Sequence, residues 1–155
     1  MKSSIIRRGM TRSQICLWGR FLLPVSVVCA VTWLSLAPSE GLPQGEALHL
    51  LIWLHRSIGC APDKIAHAAM YFCVCGVMLI ALPLRVFRLR GCLAAFIFAV
   101  SWGVLMEIAQ AGATALGWTT RAFDFYDMLA NGVGAAIAVC VFCLLRTFYR
   151  RKVCA

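Results

Sequence analysis

Acidic residues are scarce in this chain: six Asp and Glu stand against fifteen Lys and Arg, and residues of either charge make up only 14%. A soluble globule carries about a quarter charged residues. A chain that is 62% hydrophobic, with mean hydropathy +0.84, lacks the polar surface for that state and reads as one membrane domain. No Gly-rich phosphate-cradling loop occurs, and no internal repeat or low-complexity stretch is visible. No aromatic-interleaved basic patch accompanies the net charge of +9, so no nucleic-acid partner is expected.

Cysteine is plentiful, at nine residues, but metal-ligand spacing is missing. Cys29, Cys73, Cys75, Cys92, Cys140 and Cys143 fall in or beside apolar stretches, where cysteine packs as a small hydrophobe. Cys73 and Cys75 would point to different helix faces, and Cys140 with Cys143 has no second pair to complete a zinc tetrahedron. No resident metal or cofactor is expected from the cysteines.

Four apolar stretches have the roughly 20-residue length of a membrane-spanning helix: Phe21 to Pro38, Ile65 to Leu84, Gly91 to about Gln110, and Met128 to Leu145. The expected architecture is an all-α membrane protein of four transmembrane helices. Ser35 and Ala37 imitate a signal-peptide cleavage site, but Pro38 would hinder the cut, and the long stretch before the apolar run favours an uncleaved anchor. The chain divides into a basic arm (1–20), a four-helix domain (21–147) and a basic tail (148–155).

Lys and Arg resist translocation, so their distribution sets the orientation. The amino-terminal arm, the second connection and the tail hold twelve of them, whereas Arg56, Lys64 and Arg121 are the three on the remaining connections. Both termini are therefore expected on the cytoplasmic side, with the basic residues against anionic lipid headgroups. In the first external connection, Glu46 to Ile58 places Leu50, Trp53, Leu54 and Ile58 at helical spacing. That segment is too short to span, and a short interfacial helix anchored by Trp53 is expected there.

Against this background the placement of the few acids is informative. Four of the six fall in three polar clusters at span ends: Asp63-Lys64-Ile65-Ala66-His67, Glu107-Ile108-Ala109-Gln110, and Arg121 through Asp124 and Asp127 to Asn131. A charge at a helix centre in lipid costs about 2.5 to 3.5 kcal/mol, so such groups sit where they function or where water reaches them. Asp63, His67 and Tyr71 share one helical stripe, Glu107 and Gln110 are a turn apart, and Asp124, Asp127 and Asn131 follow helical spacing. With the orientation above, all three clusters face outward, and if the stripes face one another they form a single pocket.

These motifs resemble those of the VanZ-like family of small bacterial membrane proteins. The resemblance rests on DKIAHAAMY, on Glu107 with Gln110, and on RAFDFYDMLANGVGA, and covers roughly Asp63 to Ala136. The stretch AGATALGWTT before Arg121 is longer than the family's usual short turn. The resemblance implies a bacterial inner-membrane protein with a cell-envelope role, possible involvement in resistance to the glycopeptide teicoplanin, and no established reaction.

Each cluster has a plainer reading as well. Asp63, Asp124 and Asp127 suit first turns of helices, where a carboxylate caps amides and meets the positive end of the helix dipole. His67 and Glu107 lie inside apolar runs and need partners, and Gly132 and Gly134 read as close helix packing.

Three modes of action fit such a pocket. The candidate catalytic set is His67, Asp63, Glu107 and Asp127, with Lys64, Tyr71, Gln110, Arg121, Asp124 and Asn131 as substrate-binding candidates. An oriented His67 would serve as general acid or base on a lipid-linked phosphate substrate held by Lys64 and Arg121. The carboxylates with Asn131 would alternatively offer oxygen ligands to a divalent cation. In the third mode the pocket recognises or moves a lipid-linked peptidoglycan or polysaccharide precursor without chemistry, which is favoured because no Ser or Cys nucleophile lies in the motifs. Whether the chain is an enzyme stays open at this point.

Overall fold

The computed structural model describes residues 12–37, 53, 57, 59–82, 89–119 and 123–153. Among them are four helices and no strand: α1 (Arg12–Leu36), α2 (Pro62–Ala81), α3 (Leu89–Ala115) and α4 (Phe125–Val153). Each contains a stretch long and apolar enough to cross a membrane: Trp18–Leu36, Pro62–Ala81, Leu89–Ala115 and Phe125–Tyr149. Among the described residues the structure is all-helical, with the four candidate spans of a multi-pass membrane protein.

Local chemistry sets the helix ends. Pro62 opens α2 with its φ already helical and its missing N–H harmless, and the preceding Ala61 is extended, at φ −58° and ψ 138°. Asp124 precedes the first residue of α4 and accepts the Tyr126 amide at 2.8 Å through Oδ1, the geometry of an N-cap. Helix α3 runs past the expected end at Gln110, through Gly112, to Ala115. It stops where Gly117 adopts φ +74°, with the Trp118 amide reaching Ala113 O at 2.9 Å and the Gly117 amide reaching Thr114 O at 2.9 Å. These are the two bonds of a Schellman motif.

The helices alternate in direction. Ser35 near the end of α1 meets Gln110 late in α3, and Lys64 in the first turn of α2 meets Asp127 in the first turn of α4. One end of the bundle therefore gathers all three polar clusters.

Helices α2 and α4 make the most extensive contact in the bundle. Lipid tails are as apolar as leucine, so helix association in a membrane depends on close packing through small residues. A Cβ on Gly134 would sit 2.0 Å from the Ala68 carbonyl oxygen, so the two backbones touch there. Ala135 and Ala138 continue this face into a core with Tyr71, Val74, Cys75 and Leu79. The expectation for Gly132 does not hold: nothing lies within 4 Å of where its Cβ would be, because it is turned away from the α2 crossing.

Helix α1 is tied to α3 by Trp102 Nε1, which donates to the Thr32 hydroxyl at 3.3 Å, while that hydroxyl donates back to Val28 O at 2.8 Å. The outside of the bundle is rich in exposed large apolar side chains such as Phe21, Leu129, Leu144 and Phe148, a surface suited to lipid. Of the cysteines, Cys75 and Cys92 are buried in the core, whereas Cys29, Cys73, Cys140 and Cys143 lie on the bundle surface. The expected interfacial helix falls outside the described residues apart from Trp53 and Ser57, both exposed, with the Ser57 hydroxyl donating to Trp53 O at 3.0 Å.

Candidate functional site

The outer part of the polar end is organised by Lys64. Pro62 and Asp63 start α2 so that Lys64 extends towards the first turn of α4, where its ammonium donates to Asp127 Oδ1 at 2.5 Å and to Asp124 Oδ2. The same nitrogen donates to Asp63 Oδ2 at 3.0 Å. Lys64 thus joins three carboxylates drawn from two helices, and its side chain is only 18% exposed. The Lys64 hydrogen bond, aided by the Tyr126 amide, holds the Asp124 carboxyl below the usual carboxylate range.

Deeper in the bundle, three helices contribute one side chain each to a buried group. His67 from α2, Glu107 from α3 and Asp127 from α4 bring a ligand-capable atom apiece to within 4.8 Å of one another. His67 Nδ1 pairs with Asn131 Oδ1 at 3.1 Å, and its Nε2 faces Asp127 Oδ2 at 3.6 Å. Glu107 is fully buried; its Oε2 accepts the Asp124 amide at 3.4 Å, and its Oε1 lies 3.9 Å from His67 Nδ1. Asp124 therefore links the two layers, with its side chain on Lys64 and its backbone on Glu107.

Tyr71 lies one turn below His67 and is fully buried. Tyr71 and Asn131 meet over Gly103: a Cβ there would be 3.2 Å from Tyr71 Cε1 and 2.9 Å from Asn131 Nδ2. Three buried atoms of this group, Glu107 Oε1, Tyr71 Oη and Asn131 Nδ2, make no hydrogen bond. Unsatisfied buried polar groups cost roughly 1 to 3 kcal/mol each, so three in one place call for partners that the described side chains do not supply.

The ten candidate residues thus separate. Lys64, His67, Tyr71, Glu107, Asp124, Asp127 and Asn131 are gathered, and Asp63 joins at the rim through Lys64 with its side chain 58% exposed. Gln110 is turned to α1, where its amide donates to Ser35 O at 2.8 Å. Arg121 lies outside the described residues. Sequence reasoning missed Gly103, whose signal was available: it stands four residues before Glu107 and so shares its helix face.

The electrostatics follow from the inventory. Four carboxylates face one fixed cation among the described residues, since Lys64 is the only Lys or Arg in salt-bridge contact with them. The site is built to meet positive charge or hydrogen-bond donors, and Lys64 is already committed to three acids. Two carboxylate-containing groups, His67 with Glu107 and Asp127, and Asp63 with Asp124 and Asp127, have the proximity a cation would need. Comparison of the chain with protein-family models, curated proteins and solved structures found no match.

Proposed function

We propose that this chain is a four-span protein of the bacterial cytoplasmic membrane, with both termini cytoplasmic, whose outward polar site recognises or handles a lipid-linked cell-envelope component. The observation that carries this reading is the convergence of His67, Glu107 and Asp127 from three helices into one buried group at one end of the bundle. Such groups are costly in a membrane and are kept where they bind or move something. Glu107 Oε1, Tyr71 Oη and Asn131 Nδ2, which lack partners, would be satisfied by a headgroup. The excess of carboxylates favours a headgroup presenting hydroxyl, amide or amine donors over a bare phosphate.

Two further features support the lipid part of this reading. An apolar groove of about 650 Å³, lined by Val28, Thr32, Trp33, Leu36 and Trp102 among others, lies on the half of α1 nearer the polar end. It would take a hydrocarbon chain. The motif resemblance to the VanZ-like family adds the cell envelope, and with it a relation to glycopeptide resistance, as the setting.

A second reading, a membrane-embedded hydrolase or transferase on a lipid-linked phosphate, is favoured by His67 standing between Asp127 at 3.6 Å and Glu107 at 3.9 Å. A histidine flanked by two carboxylates is suited to proton transfer. The experiment that tests the binding role is purification in mild detergent, with mass spectrometry of the lipids that stay bound. A lipid-linked precursor enriched in the wild type and lost from Glu107→Gln supports it. Identical lipid profiles, both matching bulk membrane, overturn it. Binding retained by His67→Gln with loss of all turnover would favour the catalytic reading.

A further inference from the structure

We propose that His67, Glu107 and Asp127 form a binding site for a divalent transition-metal ion of the zinc or manganese class. The ligand atoms come from three helices, all three residues are buried, and they stand within 4.8 Å of one another. Ligands at tetrahedral zinc, with bonds of about 2.0 to 2.2 Å, are about 3.3 to 3.6 Å apart. His67 Nε2 and Asp127 Oδ2, at 3.6 Å, already have that separation.

Proximity of acids alone would not carry this. The independent observation is the fully buried Glu107: one oxygen is held by the Asp124 amide, and the other, Oε1, has no hydrogen-bond partner while lying 3.9 Å from the His67 ring. A fully buried carboxylate oxygen without a hydrogen-bond partner, on a residue that brings a ligand atom to within 4.8 Å of His67 and Asp127, is a ligand position. Asn131 supplies the supporting contact. Its Oδ1 accepts from His67 Nδ1 at 3.1 Å, which fixes the tautomer whose Nε2 lone pair faces Asp127. Metal-bound histidines are oriented in this way by a hydrogen bond on their other nitrogen.

The donor set chooses the metal class. One imidazole with two carboxylates is too nitrogen-rich for a dedicated calcium or magnesium cage and suits zinc or manganese. Asp127 would divide its oxygens, Oδ1 to Lys64 and Oδ2 to the ion. Two carboxylates balance the charge of the ion, and three protein ligands leave a position for water or for a donor on a bound headgroup. The metal site goes beyond the lipid reading and does not depend on it.

The test uses the full chain in detergent micelles, stripped with chelator, loaded with Zn²⁺, desalted and assayed for bound metal. Wild type is expected to retain about one equivalent, and His67→Ala and Glu107→Gln are expected to lower affinity about tenfold to hundredfold. Thr147→Val, at the other end of α4, should bind as wild type does. Co²⁺ in place of Zn²⁺ should give visible d–d absorption that Glu107→Gln abolishes. Should His67→Ala not fold, the near-isosteric Glu107→Gln and the Co²⁺ spectrum carry the test. Absence of retained zinc in the wild type, or equal retention by Glu107→Gln, overturns the proposal. No lipid precursor is added, and the lipid analysis runs on stripped protein, so each proposal can fail alone.

Discussion

Lys64 and Asp127 close a salt bridge across the α2–α4 interface, Nζ to Oδ1 at 2.5 Å, with side-chain exposures of 18% and 12%. About two turns further along α4, Gly134 packs against the Ala68 carbonyl of α2. The two contacts together fix the register of two helices at the mouth of the buried group. Removing one member of a buried pair costs about 3 to 5 kcal/mol because the other is left uncompensated, even where the intact pair contributes little net stability.

That asymmetry predicts an order among variants. Lys64→Met strands three carboxylates, whereas Asp127→Asn leaves Lys64 with Asp63 and Asp124. Lys64→Met should lose about 3 to 5 kcal/mol and Asp127→Asn less, measured by SDS-induced unfolding in micelles. A Lys64→Met protein as stable as Asp127→Asn would mean that Lys64 does not hold the acids together.

The glycines of α4 make a sharper contrast. Gly134→Ala places a methyl 2.0 Å from the Ala68 carbonyl oxygen, a backbone atom that moves only if the helices part. Loss of about 1 to 3 kcal/mol is expected, with reduced membrane abundance. Gly132→Ala meets nothing within 4 Å and exchanges a flexible residue for the best helix former, so it should be neutral or gain up to about 1 kcal/mol. Equal losses from both would disprove the crossing.

The Asp124 clamp has a defined acid limit. Lys64 lowers the carboxyl's pKa in the folded protein, so the native state binds its proton less readily than the unfolded chain does. The stabilisation is then fully present above the unfolded value of about 3.9 and is lost as pH falls through the lower folded value. Thermal unfolding in micelles should show a clamp contribution unchanged from pH 7 to about pH 5, fading below pH 4. Asp124→Asn should remove that acid limb. An Asp124 contribution that faded between pH 5 and 7 would contradict the lowered value.

What the sequence made legible was whatever lay on one helix. His67 and Tyr71 repeat every four residues from Asp63, and both point into the bundle. The N-cap at Asp124 was readable from residue type. What escaped were properties of helix pairs. Lys64 looked available for a phosphate until α4 brought two more carboxylates to it, and that proximity depends on the crossing at Gly134. Gln110 was misjudged through angle: three residues advance a helix by about 300°, so it sits about 60° from Glu107, enough to face α1 instead of the cluster. The late end of α3 turned on Gly117, beyond the apolar run that marked the span.

Orientation remains a matter of charge counting, and thiol accessibility tests it directly. Cys60 lies just before α2 on the polar end and is exposed. Cys16 and Cys154 belong to the basic arm and tail that the charge count assigns to the cytoplasmic side. Cys29, Cys73, Cys140 and Cys143 are on faces that lipid would cover, and Cys75 and Cys92 are in the core. A membrane-impermeant maleimide applied to intact spheroplasts should therefore label Cys60 alone, and Cys60→Ser should abolish the signal. Cys16 and Cys154 should react only after permeabilisation. Labelling of Cys154 in sealed cells would invert the topology, and the His67–Glu107–Asp127 group would then open towards the cytoplasm instead of outward.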